Sequence, residues 1–264
     1  MTPQRIVCLT AETTEVLYLL GEEDRIAGIS GYTTRPARAR REKPKVAAFT
    51  SAKIDKILEL KPDLVLGFSN LQADIAAELI RAGVEVHVFN QRSVDEILRM
   101  VTTLGALVGA SKKAAELVAA LDQDIQSTRD AASRLKHHPK VYFEEWNDPL
   151  ITGIRWASEL IEIAGGQDCF AELAQFPSAK DRILADSNVV IERSPDIIIG
   201  SWCGKKFQPE QVMTRPGWDT LPAVSKTQVF EIKSADILQP GPSAIQYGLT
   251  QLQQIIQDWE RQYG

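Results

Sequence analysis

At 264 residues the chain is long enough for one large domain or two lobes of ordinary size. A composition of 44% hydrophobic and 25% charged residues is that of a soluble globular protein, and a net charge of −5 argues against nucleic acid as the main partner, because phosphate binding asks for a basic face. No window approaches the roughly 20 apolar residues of a membrane span, so no membrane insertion is expected.

In chain order, residues 5–9 read as a strand and 13–20 as a helix. Val16, Leu17, Leu19 and Leu20 mark its buried side and Gly21 its stop. Residues 25–30 form a short strand. A helix over 51–60 opens on Ser51, a suitable N-cap. A strand at 64–68, a helix at 73–82 ended by Gly83, a strand at 84–90 and a helix at 94–108 follow. Strands alternating with helices of this length predict βα units and a mainly parallel sheet. From 111 to 135 the pattern is one continuous helix. Ala114, Leu117, Val118, Leu121, Ile125 and Ala131 recur at spacings of three and four, with no Gly or Pro between them. About 25 helical residues span roughly 37 Å, enough to cross from one lobe to another.

This sets a first lobe at 1–110, an interlobe helix at 111–136 and a second lobe at 137–264, with His137-His138-Pro139 at the helix end. The second half starts again with a strand at 140–146 and a loop through Asp148-Pro149. A helix at 158–164 precedes Gly165-Gly166, and a helix at 183–193 leads into a strand at 197–202. A strand at 229–233 and an amphipathic helix at 242–263 close the chain. The expected fold is α/β, with two Rossmann-like lobes.

A repeated phrase supports two similar lobes. Leu60-Lys61-Pro62-Asp63-Leu64-Val65-Leu66-Gly67 returns as Arg193-Ser194-Pro195-Asp196-Ile197-Ile198-Ile199-Gly200. Each copy ends a helix, turns at Pro-Asp and enters an apolar strand. Clefts between domains are where small ligands bind, so the pattern predicts a holding function.

Catalytic and metal chemistry have little support. Cys8, Cys169 and Cys203 form neither a disulfide framework nor a CxxC pair. His87, His137 and His138 are scattered, whereas a closed zinc site wants about four convergent ligands. There is no GxSxG elbow, P-loop or GxGxxG. Glu144-Glu145 follows a strand, and neighbouring strand residues face opposite sides, so at most one carboxylate meets a cleft. The arginines Arg35, Arg38, Arg40 and Arg41 form either a solvated loop or an anion contact. At the N-terminus, Ile6-Val7-Cys8-Leu9 gives way at once to polar residues, which is a first core strand rather than a secretory signal. As written the chain is expected in the cytoplasm, or in the periplasm or at the cell surface where a leader has been removed.

Aromatic residues give the stronger signal. Tyr32, Phe49 and Phe68 lie at strand ends or in the loops after them, and Trp146, Trp156, Trp202 and Phe207 lie in similar places in the second half. Ligands of open α/β sheets bind beyond the carboxyl ends of the strands. A ring of aromatics there suits a large, flat, partly apolar ligand. Cys203, after Trp202, falls at the same kind of strand end.

The segments Ile6-Val7-Cys8-Leu9-Thr10, Thr14-Glu15, Gly31-Tyr32, Lys61-Pro62-Asp63-Leu64-Val65-Leu66, Ala164-Gly165-Gly166 and Arg193-Ser194-Pro195-Asp196 resemble the cobalamin and ferric-siderophore substrate-binding proteins of ABC importers. The likeness covers nearly the whole chain and is nearest to the cobalamin-binding branch. It implies the class III periplasmic-binding-protein fold, two α/β lobes joined by a single long rigid helix. It also implies that Tyr32, Phe49 and Phe68 pack against a corrinoid. Ile151 stands where the family has another aromatic, with Trp146 nearby. Ala235 and Gln239 stand where it has Asp and Arg. On the outer surface, Asp55 holds the place of an acidic residue that docks on the membrane permease. Its counterpart in the second half is Asn188, with Asp186 close by.

The resulting expectation is a non-enzymatic binding protein for cobalamin or a related corrinoid, a large planar metal chelate. Glu145, Trp146, Trp156, Trp202, Cys203, Lys205 and Gln239 join the first-lobe aromatics at the site. Lys205 and Gln239 orient the ligand, and Glu145 or Cys203 approaches its metal. Cobalamin is thus the ligand rather than a catalytic cofactor, and no metal is bound by protein groups alone. Two alternatives stand beside it. One is the substrate-binding subunit of an ABC transporter for ferric siderophore or haem. The other is an enzyme of corrinoid or tetrapyrrole metabolism acting through Glu145 or Cys203.

Overall fold

Alternating strand and helix signals in the first hundred residues fold as a five-stranded parallel sheet; the structure is a computed structural model and describes residues 2–264. The first-lobe elements are β1 (Ile6–Cys8), α1 (Ala11–Leu19), β2 (Ile26–Ser30), α2 (Ala39–Glu42), β3 (Lys45–Ala47), α3 (Ile54–Glu59), β4 (Leu64–Phe68), α4 (Ala73–Arg81), β5 (Val86–Phe89) and α5 (Val94–Leu107). The strand order is β3-β2-β1-β4-β5, with every neighbouring pair parallel. Val7, Leu9, Val46, Ile57, Val65 and Leu79 form a core on this sheet.

The long helix α6 covers Ser111–Ala132. It ends three residues short of the expected end because the last turn tightens, with Arg134 N–H bonding to the Ala131 carbonyl and Leu135 N–H to that of Ala132. His137 and His138 therefore lie beyond it. The chain divides into two compact units, one running up to Gln91 and resuming over Asp95–Leu121, the other taking Arg92–Val94 and Asp122–Gly264. The division falls inside α6 rather than at its ends. Lys113 Nζ, on the first half of the helix, donates to the Leu20 carbonyl at 2.7 Å and ties that half to α1.

The second lobe contains β6 (Lys140–Asn147), β7 (Leu150–Thr152), α7 (Arg155–Ile163), β8 (Gln167–Asp168), α8 (Ala171–Ala174), α9 (Asn188–Arg193), β9 (Ile197–Gly200), α10 (Pro209–Met213), α11 (Pro222–Ser225), β10 (Val229–Glu231), α12 (Ser234–Ile237) and α13 (Thr250–Tyr263). Its sheet order is β10-β9-β6-β7, with β8 also on β6. β7 is antiparallel to β6, and the other pairs are parallel. Tyr142, Phe170, Trp202, Phe207 and Trp218 build its core.

Three sequence expectations need correction. Ser51 is not a helix cap: its carbonyl accepts from Ala48 N–H at 2.7 Å and Ala47 bridges Ala52, so residues 47–52 form a small hairpin and α3 starts only at Ile54. The stretch 183–193 is helical only from Asn188, because Ile183 bridges Ile151 and Leu184 N–H bonds to the Leu150 carbonyl. The closing helix begins as a π-turn over Ala244–Leu249. There a Cβ on Gly248 would lie 2.8 Å from the Asp236 carbonyl oxygen, so only glycine lets α12 approach this closely.

The repeated Pro-Asp phrase is a structural device. Lys61 and Ser194 both take a positive φ, of 48° and 50°, which turns the helix end towards its strand. The aspartate then reaches the start of the neighbouring strand. Asp63 accepts from Gln4 N–H at 2.7 Å and Arg5 N–H at 2.9 Å, and Asp196 accepts from Lys140 N–H at 3.0 Å. In each lobe the carboxylate satisfies amides where the central strand, β1 or β6, begins.

Candidate functional site

Because all five strands of the first lobe are parallel, their carboxyl ends share one edge. Chain order reverses between β1 and β4, which places the topological switch point there. Tyr32 follows β2 and is 57% exposed, and Phe49 tips the hairpin after β3 and is 41% exposed. Arg40 holds the Tyr32 turn by donating Nη1 to the carbonyl oxygens of Gly31 and, at 3.0 Å, Thr33. Arg38 pairs with Glu23 at 2.7 Å and Glu42 at 3.3 Å and lies over Tyr18. Two members of the arginine run are thus engaged within the lobe, which speaks against the anion-contact reading for them. Phe68 ends β4 with its ring buried, so it supports the edge from beneath.

Sequence reasoning missed Glu12. It lies in the first turn of α1, just past the carboxyl end of β1, and is 3% exposed with no hydrogen-bond partner for Oε1. Burial, helped slightly by the charge of Glu15, pushes its carboxyl from 4.5 up to about 7, against hydrogen bonds from Thr10 and its own amide. A carboxyl whose folded value is raised favours folding at low pH. That advantage is lost as pH rises from about 4.5 to about 7, where the unfolded chain ionises first. Glu12→Gln is therefore expected to match the parent near pH 4 and exceed it by about 3 kcal/mol at pH 8. Urea unfolding at the two pH values checks this, and equal midpoints at pH 8 would refute it.

In the second lobe, β6 and β9 are parallel neighbours, so Glu144–Asn147 and Ser201–Lys205 share an edge, joined by Ser201 N–H to the Glu144 carbonyl at 2.9 Å. The two glutamates do point to opposite sides, and each meets an arginine of its own. Glu144 is fully buried. It accepts from Arg215 Nη1 and Nη2 at 2.5 and 2.9 Å and from Trp202 Nε1 at 2.9 Å. Arg215 lies 4.5 Å from the centroid of the Trp218 ring, and Trp202 meets Phe207 edge to face. Burial and the Glu144 charge push the Tyr142 hydroxyl well up from its usual value. Glu145 accepts from buried Arg182 at 2.6 and 3.3 Å, and Arg182 also donates to the Thr152 carbonyl. Glu145 is thus committed to an internal ion pair, which argues against its use as a metal ligand.

Lys205 is exposed. Its Nζ donates to Asn147 Oδ1 at 3.1 Å and stands 5.6 and 5.1 Å from the Trp146 and Trp202 rings. Trp146 is half-buried, with Nε1 donating to the Asp148 carbonyl at 2.8 Å. Cys203 is exposed. Desolvation by the surrounding chain, and then the Glu145 charge, push its thiol up, which disfavours the thiolate a metal would need. Trp156 and Trp202 belong to the core rather than to a ligand surface: they are 3% and 2% exposed, with Trp156 Nε1 donating to the Ile237 carbonyl at 2.8 Å and Trp202 Nε1 to buried Glu144. Gln239 is half-buried in the turn after α12. Asp55 and Asp186 are both exposed. Asp186 accepts from Asn188 N–H at 2.8 Å and so braces the start of α9.

Among the described residues no group of three or more His, Cys, Asp and Glu could hold a metal ion, and no helix is long and apolar enough to cross a membrane. A hollow of about 270 Å³ lined by Arg129, Ser133, His138, Glu162 and Gly165 lies near the amino end of β6, away from these edges. It falls below the roughly 300 Å³ at which ligand pockets begin.

Residues 6–235 match the family model described as periplasmic binding protein. An uncharacterized ABC transporter substrate-binding lipoprotein, YvrC, of Bacillus subtilis is 26% identical over 92% of this chain and 77% of its own length. A vitamin B12-binding protein of Vibrio cholerae is 25% identical over 92% of this chain and 85% of its own. Among solved structures, the periplasmic heme-binding protein RhuT from Roseiflexus sp. RS-1 superposes with a TM-score of 0.85 at 24% identity, covering 97% of this chain and 99% of that one. The last likeness concerns the fold.

Proposed function

The chain belongs to the periplasmic binding protein family, and from that premise we propose that it is a non-catalytic binding protein whose ligand is cobalamin or a related corrinoid. The observation that carries the reading is the make-up of the two strand edges. Tyr32 and Phe49 stand exposed on the first, and on the second half-buried Trp146 stands beside exposed Lys205, over the buried Trp202 ring. Aromatic faces bury much area at little entropic cost and suit a broad macrocycle. Lys205 supplies an exposed positive charge beside them, for an anionic group of the ligand. The vitamin B12-binding relative supports the choice of a corrinoid. Glu144 and Glu145 are each committed to an internal arginine, which supports a site that holds a ligand rather than working on it. Exposed Asp55 and Asp186 are our candidates for docking on an ABC permease.

Calorimetric titration with cyanocobalamin and hydroxocobalamin, with haem and a ferric siderophore alongside, tests the proposal. Saturable one-to-one corrinoid binding is expected, weakened about 100-fold in Tyr32→Ala/Phe49→Ala if each ring contributes about 1.4 kcal/mol. Binding of haem or siderophore without corrinoid would reassign the ligand, and unchanged affinity in the double variant would move the site elsewhere.

A further inference from the structure

The turn that follows β4 is unusual in its backbone and in the amide it carries. Ser69 takes φ 60° and ψ 175°, a region that side chains rarely adopt and that survives only where neighbouring contacts enforce it. A single 3₁₀ turn, Asn70–Gln72, then brings the Gln72 side chain back over the strand end. Gln72 is 1% exposed and every hydrogen bond it makes is to backbone. Its Oε1 accepts from Phe68 N–H at 2.9 Å. Its Nε2 donates to the Phe49 carbonyl at 2.9 Å and, at 3.5 Å, to the Leu9 carbonyl.

These three bonds reach three separate segments: the end of β4, the hairpin after β3, and the link from β1 to α1. They meet at the switch point of the first sheet. The Phe49 hairpin is closed within itself by the Ala47–Ala52 bridge and by Ala48 N–H to the Ser51 carbonyl at 2.7 Å, and Gln72 ties its tip to β4 through the Phe49 carbonyl. The Gly67 position conforms to this arrangement, because a Cβ there would lie 3.0 Å from Gln72 Oε1. Only an amide serves all three partners, because the site needs an acceptor at one end and a donor at the other.

We propose that Gln72 is a positioning residue that joins the β1, β3 and β4 loops into one preorganised edge and so holds exposed Phe49 in place there for the ligand. The inference rests on the corrinoid reading only for the identity of the ligand. Preorganisation lowers the ordering cost paid at binding, so its loss appears in affinity as well as in stability.

The test uses the full chain with cyanocobalamin as probe and compares wild type, Gln72→Leu and Gln72→Glu. In Gln72→Leu the Phe68 amide and the Phe49 carbonyl lose their partner. Binding is expected to weaken about tenfold or more, and hydrogen exchange in the ligand-free 64–72 segment to accelerate by a similar factor. Gln72→Glu keeps an acceptor for Phe68 but, while ionised, has no donor for Phe49. Its deficit relative to wild type is expected to shrink on acidification as the carboxyl gains a proton. Wild type measured over the same range removes the contribution of Glu12. A purely space-filling Gln72 would instead leave Gln72→Leu, of similar volume, close to wild type in both exchange and affinity. Unchanged exchange in Gln72→Leu, or unchanged affinity, would overturn the proposal. A wild-type protein that ignores cyanocobalamin would sink the corrinoid reading alone, and the exchange measurement would still decide the role of Gln72.

Discussion

Arg215→Ala is expected to destabilise the protein by about 3–5 kcal/mol near neutral pH, the usual cost of leaving one member of a buried ion pair uncompensated. Glu144 is fully buried, and both of its oxygens receive Arg215. With the guanidinium gone, the Trp202 indole remains as a weaker donor at 2.9 Å. The loss is expected to diminish on acidification, because a stranded buried carboxylate takes up a proton. Replacing both partners with Glu144→Leu/Arg215→Met removes the charge problem and is expected to recover most of the stability. It is not expected to restore binding, since Trp202 would have lost the acceptor that holds its ring beside Lys205. Denaturant midpoints and cyanocobalamin affinity, measured on the same three proteins, separate the two effects. A single variant as stable as the parent would show that the pair contributes nothing net.

How much of this was legible beforehand follows from the distance between partners in the chain. The Pro-Asp repeat was readable because its chemistry is local: a left-handed residue, a proline and an aspartate in a row announce a turn into a strand. Tyr32 and Phe49 were readable because position after a strand fixes which edge a residue occupies in a parallel sheet. Trp156, Trp202 and Phe68 carried the same signal, yet the two indoles lie in the core and the Phe68 ring lies under the edge. Aromatic type does not reveal whether neighbours cover a ring. Glu145 looked available because its partner Arg182 lies 37 residues on, and Glu144 meets an arginine 71 residues away. Gln72 likewise reaches back 23 and 63 residues to Phe49 and Leu9. Nothing in local periodicity marks such pairs. The one available hint was strongly polar side chains in otherwise apolar strand endings, which in a folded chain must find partners.

Gly200→Ala is the second substitution with a large expected effect, and its cause is steric. Gly200 closes β9, and its backbone angles lie outside the left-handed region reserved for glycine, so conformational freedom is not the reason for its presence. Space is the reason. A Cβ at this position would lie 1.8 Å from Phe207 Cε2 and 2.1 Å from Cδ2, inside the ring itself. Phe207 is buried and stands edge to face with Trp202 at 4.9 Å, so it cannot step aside without moving the tryptophan. Overpacking of this kind costs about 3 kcal/mol where the neighbour is rigid. The displaced Trp202 is expected to weaken corrinoid binding as well. A double-mutant cycle isolates the mechanism. In a Phe207→Leu background, which is itself less stable, the additional cost of Gly200→Ala is expected to fall to about 1 kcal/mol or less. An equal cost in both backgrounds would mean that the strand rather than the ring resists the methyl group.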